Sequence, residues 1–316
     1  MFVEDWAATY GSPYLVKGGD DNAPQGRLVE DGAELRPHAP ASGEALNRPL
    51  AFVDGVRRGE AALSDVDPET GAIVRAVAGA HACGVVVGEP GSPLCFGEIQ
   101  ASRMLIWGSG IHRELPDVPG GWSWAARSID GDEPDAPLQE LQRRMREAEG
   151  RLAEDEASRG RLVVVDGPLN FVRSRDLPVV GYIKTHHRPL LPPEQHRRIA
   201  GLAPTERTSI FSLGSDRYSC YLRLTPSTRL SGPWSGIVRL EVPQSAGLRV
   251  AIETLDNVAG MIPRYAGVAH RDPRAPQNLQ PVGGLERELR HRLGDLGLAY
   301  RAVRTAVSLS LEGSAA

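Results

Sequence analysis

The chain has 316 residues, 41% hydrophobic and 24% charged, with a formal net charge of −4. That balance suits a folded protein whose core needs no disulfide or metal staple, and it excludes both disorder and a wholesale basic coat for nucleic acid. Three cysteines, Cys83, Cys95 and Cys220, are an odd number at no metal spacing and read as reduced thiols of a cytoplasmic protein. No apolar run approaches about 18 residues, and the first residues lack a basic segment followed by an apolar one. Neither a membrane span nor a signal peptide is expected.

Residues 1–47, rich in Gly, Pro and Asp, predict an extended arm with one short helix, ahead of a single domain over 48–316. The first clear strand is 49–55, apolar and closed by Asp54-Gly55, a turn signal, with 56–63 returning as its hairpin partner. Residues 72–79 and 83–87 predict two more strands. Between 88 and 135 only Leu105-Ile106-Trp107 is apolar; a Pro/Gly stretch and an acidic cluster follow. Leu138, Leu141, Met145, Ala148 and Leu152 recur at spacings of three and four, so 137–158 predicts a helix that Gly160 stops. Residues 161–167 form a near-continuous apolar run, as in a buried central strand, and 179–184 predict the next strand. A helix follows at 193–201, then an antiparallel pair at 218–224 and 236–242. Two helices close the chain, at about 250–260 and about 284–306, the latter with Leu285, Leu289, Leu293, Leu296 and Tyr300 as its apolar face. The one internal echo is Phe52-Val53-Asp54-Gly55 against Val164-Val165-Asp166-Gly167. Several strands, a long helix, a buried strand and then alternating elements predict an α/β fold. Its mixed sheet, flanked by helices, is antiparallel first and parallel after a helical crossover, the layout of the RNase H-like fold.

Asp54 and Asp166 each end an apolar strand just before Gly. On neighbouring strands both carboxylates project at one sheet edge, where they repel unless a cation lies between them. Hard oxygen ligands favour Mn²⁺ or Mg²⁺. Helix phase selects a third acid. With Leu138 at 0°, the apolar positions of 137–158 centre near about 320° and Glu149 lies at about 20°, on the margin of the buried face. Glu140, Glu147 and Glu154 point to solvent, and Glu156 faces inward close to the helix end. His270 offers a neutral imidazole for a metal or a proton. Lys184, ending the strand after Asp166, offers a cation for a phosphate or the attacking water. His186, His187 and Arg188, with His196, Arg197 and Arg198, make the most basic stretch of the chain, suited to phosphate contacts.

These residues resemble the NurA nuclease family. The motifs are Val53-Asp54-Gly55, the acidic helix, Val165-Asp166-Gly167-Pro168-Leu169, Gly181-Tyr182-Ile183-Lys184 and Ala269-His270, spread over roughly residues 48–306. The resemblance implies an RNase H-like domain, Mn²⁺-dependent DNA cleavage in DNA end processing and repair, a homodimer, and a HerA-type hexameric ATPase as partner. It also implies that Asp54, Glu149, Asp166 and His270 hold two metal ions, manganese with magnesium as the alternative, assisted by Lys184. The sequence departs from the family where a Tyr-Pro pair precedes the His by eight residues: here the pair is Ile262-Pro263, and the nearest tyrosine is Tyr265. The alternative is a non-catalytic dimeric adaptor of an ATPase ring. The presence of all four candidate ligands favours the enzyme.

Overall fold

In the computed structural model the described residues are 2–3, 26–32, 34–40, 47–173, 177–186, 189–226, 233–268, 270–271 and 275–314. Most of the expected N-terminal arm, including its helix, lies outside them. What is described there is three two-residue strands: β1 (Phe2–Val3), β2 (Arg27–Leu28) and β3 (Pro37–His38).

The strand that begins at Leu50 runs straight through Asp54-Gly55. β4 spans Leu50–Val66, 17 residues. The predicted hairpin at 56–63 is therefore the second half of the same strand. Likewise the two short strands expected at 72–79 and 83–87 are one, β5 (Ile73–Gly88), and the apolar run at 105–107 is the end of β6 (Cys95–Trp107). Small residues misled the reading. Gly55, Gly79 and Gly84 all stand in paired register, where the packing of helices on the sheet, and not a turn, excludes a side chain. A bulge falls between Gly59 and Ala61. The Glu60 side chain there is buried and accepts hydrogen bonds from Arg58 Nη2 and Trp124 Nε1, both at 2.9 Å.

After β7 (Ala125–Ser128), helix α1 (Ala136–Ser158) leads into β8 (Leu162–Asp166), followed by β9 (Val179–Ile183) and α2 (Pro193–Ile199). Then come β10 (Arg207–Thr208), β11 (Phe211–Leu213), β12 (Arg217–Arg223) and β13 (Ile237–Pro243). The predicted antiparallel pair is β12 with β13. Helix α3 (Leu248–Met261) runs into a 3₁₀ turn, Ile262–Tyr265. The single helix expected at 284–306 is two: α4 (Gln280–Arg292) and α5 (Leu296–Ser314). Gly294, at φ +74°, breaks the helix, and Asp295 Oδ1 accepts the Leu298 backbone N–H at 2.7 Å.

The sheet order is β2-β11-β12-β13-β9-β8-β4-β5-β6-β7. β4, β5 and β6 are antiparallel neighbours, and β8 and β9 lie parallel on the other side of β4. This is the expected mixed sheet of RNase H-like layout, with the parallel step made through α1. Alternation along β4 splits the core by face. Leu50, Phe52 and Val56 pack with Leu255, Val258, Leu285 and Leu289 of α3 and α4, whereas Ala51 and Val53 pack with Ala148, Leu152 and Ala153 of α1. Farther along the same strands, Ala61, Leu63, Ala76 and Leu105 meet Val303, Ala306 and Val307 of α5 in a separate cluster.

Candidate metal centre

The repeated Val-Asp-Gly is a register match. β4 and β8 pair in parallel from Leu50↔Leu162 to Val53↔Val165. One step further, Asp54 stands beside Asp166. By alternation both point to the face carrying α3 and α4, the face of Phe52 and Val164. β8 ends at Asp166 while β4 continues, so β8 leaves that edge of β4 at Asp54, and β1 takes the edge up again at Leu63 and Ser64.

Glu149 enters from the opposite face. It lies on α1, 1% exposed, behind Gly55. A Cβ on Gly55 would stand 2.6 Å from Glu149 Oε1 and 3.0 Å from Met145 Cγ. The glycine is thus the space that lets the carboxylate reach the strand. Arg146 Nη1 donates to Glu149 Oε2 and to the Asp166 carbonyl, both at 2.9 Å, tying the helix to the end of β8. Lys184 Nζ donates to Asp166 Oδ2 at 2.5 Å and to Asn278 Oδ1 at 2.9 Å.

The group is electrostatically loaded. Asp54 is 4% exposed. Burial first, then Asp166 and Glu149, hold its carboxyl well above the usual carboxylate range, and Lys184 opposes them. Burial pushes Glu149 up to about 7, with Arg146 opposing and Asp166 adding to the rise. Asp54 Oδ2 and Glu149 Oε1 are buried without a hydrogen-bond partner. Unpaired buried carboxylate oxygens at hydrogen-bond cost are what a divalent cation relieves, and hard oxygen donors fit Mg²⁺ or Mn²⁺.

A residue absent from the sequence-based set joins them. Oxygen atoms of Asp54, Asp166 and Glu286, on α4, lie within 4.8 Å of one another. The signal was available in the helix phase. Relative to Val282, the buried Leu285, Leu289 and Leu293 centre near about 345°, and Glu286 falls at about 40°, on the same margin that selected Glu149 on α1. The other such group among the described residues, Glu30, Asp31 and His38, is already bonded. Glu30 takes Arg207 Nη1 at 2.7 Å and Asp31 takes the Ser209 hydroxyl at 2.8 Å, which fastens β2 and β3 to the sheet.

Asp54 and Asp166 therefore stand together, with Lys184 bonded to Asp166, while Glu149 reaches the strand at Gly55 from the opposite face and is outside the group within 4.8 Å. His270 sits exposed in a turn and belongs to neither carboxylate group; Ala269 lies outside the described residues. Tyr265 packs edge-on against Phe52 at 5.1 Å, and Ile262 is buried. Glu147 bonds Arg143, and Glu156 bonds Arg159 and Arg161, the latter at 2.8 Å, near the far end of α1. Glu140, expected in solvent, is buried because the Arg143 and Arg144 side chains fold over it, each Nε donating to it at 2.6 and 2.7 Å. In the basic stretch, His196 stacks on Trp234 at 4.8 Å and His186 packs tilted against it at 5.0 Å, and His187 and Arg188 lie outside the described residues.

Because Asp54 and Glu149 keep protons in the folded chain that the unfolded chain releases near its ordinary carboxylate pKa, metal-free stability falls as pH rises. For Glu149 the window runs from 4.5 to about 7. Carboxylates held low, such as Asp31 and Asp67, act with opposite sign and only below that window. Thermal melts in EDTA should show the decline, and Glu149→Gln should flatten it.

No family model and no curated protein matches the chain. In structure it is similar to the crystal structure of the NurA nuclease from Sulfolobus solfataricus, at a TM-score of 0.44 and 10% identity over 81% of each chain. Among the described residues, no helix is long and apolar enough to cross a membrane.

Proposed function

We propose that this chain is a metal-dependent DNA nuclease of the NurA type. One observation carries the proposal: Asp54 and Asp166 stand in register on adjacent parallel strands, and the buried Asp54 Oδ2 has no partner inside the protein. Two carboxylates held this close with one lysine leave an excess of negative charge in a dry setting. A structural pair would be better served by neutral side chains.

In this reading Asp54 and Asp166 hold Mn²⁺ or Mg²⁺, and Glu149 adds a carboxylate through the opening beyond β8. A bound divalent cation supplies charge to the scissile phosphate and makes water a nucleophile at neutral pH. The rest of the work belongs to the chain. Lys184, itself held by Asn278 Oδ1, keeps the Asp166 carboxylate in one orientation. Arg146 fixes both Glu149 and the backbone at Asp166, so ligands from helix and strand keep their spacing. Water then attacks phosphorus, the bond to one bridging oxygen breaks, and that oxygen leaves with a proton. The sequence resemblance adds a HerA-type hexameric ATPase, a homodimer and a cytoplasmic role in DNA end processing. Its His270 ligand has no support from the geometry.

End-labelled single- and double-stranded DNA incubated with the protein in Mn²⁺, Mg²⁺ or EDTA tests the proposal. Cleavage with metal and none in EDTA is expected. Intact DNA in every metal-containing reaction would count for a non-catalytic adaptor.

A further inference from the structure

We infer that Glu286 of α4 is a further carboxylate ligand of the cation held by Asp54 and Asp166, in the place the resemblance offered to His270. The inference rests on the nuclease reading above and deepens it at the same site.

Three features of the fold place this residue. First, ligand oxygens of Asp54, Asp166 and Glu286 already lie within 4.8 Å of one another. Octahedral coordination at about 2.1 Å puts ligand oxygens about 3 Å apart when adjacent and about 4 Å apart when opposite. Small side-chain rotations therefore suffice to close the set. Second, Asp54, a member of this group, carries a buried Oδ2 that has no hydrogen-bond partner. An acidic cluster alone is often no more than a charged surface, but this oxygen is out of water and unpaid for by any protein donor.

Third, the sheet is built to let α4 come close. Directly across from Asp54 on β5 stands Gly84. A Cβ there would lie 3.1 Å from Leu289 Cδ2. Leu289 fills the space beside Asp54 that a side chain on β5 would otherwise take. Glu286, one turn earlier on α4, is thereby carried to the carboxylate pair. Glu288 on the same helix points elsewhere and pairs with Arg292 at 2.7 Å.

Isothermal titration with Mn²⁺, supported by Mn²⁺ electron paramagnetic resonance, tests this without reference to turnover. The proteins are wild type, Glu286→Gln, Asp166→Asn, His270→Ala and Glu288→Gln. Glu286 is half-buried and Gln has its shape, so the variant keeps the fold, which circular dichroism checks. Glu286→Gln should weaken Mn²⁺ binding by about 10-fold or more. Asp166→Asn should weaken it at least as much, and His270→Ala and Glu288→Gln should bind as wild type does. Wild-type affinity in Glu286→Gln, alongside a loss in Asp166→Asn, would overturn the role of Glu286 and leave the nuclease reading standing. A wild-type protein that binds no Mn²⁺, or an Asp166→Asn protein that binds it undiminished, would overturn both.

Discussion

Asp54→Asn and Asp166→Asn should each abolish metal-dependent DNA cleavage, by about 10³-fold or more, while the folded protein survives. Asn keeps the shape of Asp and can still hydrogen-bond, so the change isolates the charge. The apo protein should melt no lower than wild type, and Asp54→Asn should melt higher. Asp54 is buried beside Asp166 and Glu149, and an amide there removes the cost of holding a carboxyl well above its ordinary range. Asp166 shares its charge with Lys184, so Asp166→Asn should be nearly neutral in EDTA. Calorimetry in EDTA and single-turnover cleavage in Mn²⁺ give the two readouts. An Asp166→Asn protein that folds and cuts DNA at the wild-type rate in Mn²⁺ would sink the assignment of this site.

Gly55→Ala should lower both stability and activity although it adds one methyl group. That methyl would stand 2.6 Å from Glu149 Oε1, so the carboxylate must leave its place behind β4. Overpacking of this kind costs about 1–3 kcal/mol. Displacing the carboxylate should cost about 10-fold or more in cleavage rate. Gly79→Ala is the control. Its methyl would meet Leu141 Cδ2 of the same helix at the same 2.6 Å, without touching an acid. Both variants should lose Tm, and only Gly55→Ala should lose rate once the melting difference is allowed for. Equal rate losses in the two would mean that Glu149 acts through packing alone.

The site was more legible in the sequence than the strands around it. The echoed Val-Asp-Gly betrayed the register of β4 and β8 because parallel neighbours offset by a constant number place like residues side by side. Helix phase found Glu149 because an acid on the margin of an apolar stripe has only the sheet to face. The same argument reaches Glu286, which lies about 60° from the centre of the stripe Leu285, Leu289, Leu293, Leu296 and Tyr300, whether or not the helix breaks at Gly294. Asp54-Gly55 was read as a turn on local chemistry that a neighbouring helix overrides. A single chain carries no mark of which glycines are hollowed out for a partner eighty or more residues away, as Gly55 is for Glu149. The resemblance names His270 from motif order, and order along the chain does not fix where an exposed turn points.

The length of β4 and β5 has a consequence for how the molecule comes apart. Each strand takes part in three clusters: the one beneath α3 and α4, beside the carboxylates, the one beneath α1, and the one beneath α5. At about 3.3 Å per residue, β4 is a rod of roughly 55 Å with no loop at which one cluster could let go of the others. Melting the α5 end strips the backbone ladder from strands that also carry Asp54, so loss of order spreads toward the carboxylate pair along a ladder interrupted at the bulge between Gly59 and Ala61. Amide protons on both halves of β4 therefore share one opening free energy, and damage under α5, far from any acid, reaches the carboxylates as a loss of cooperativity.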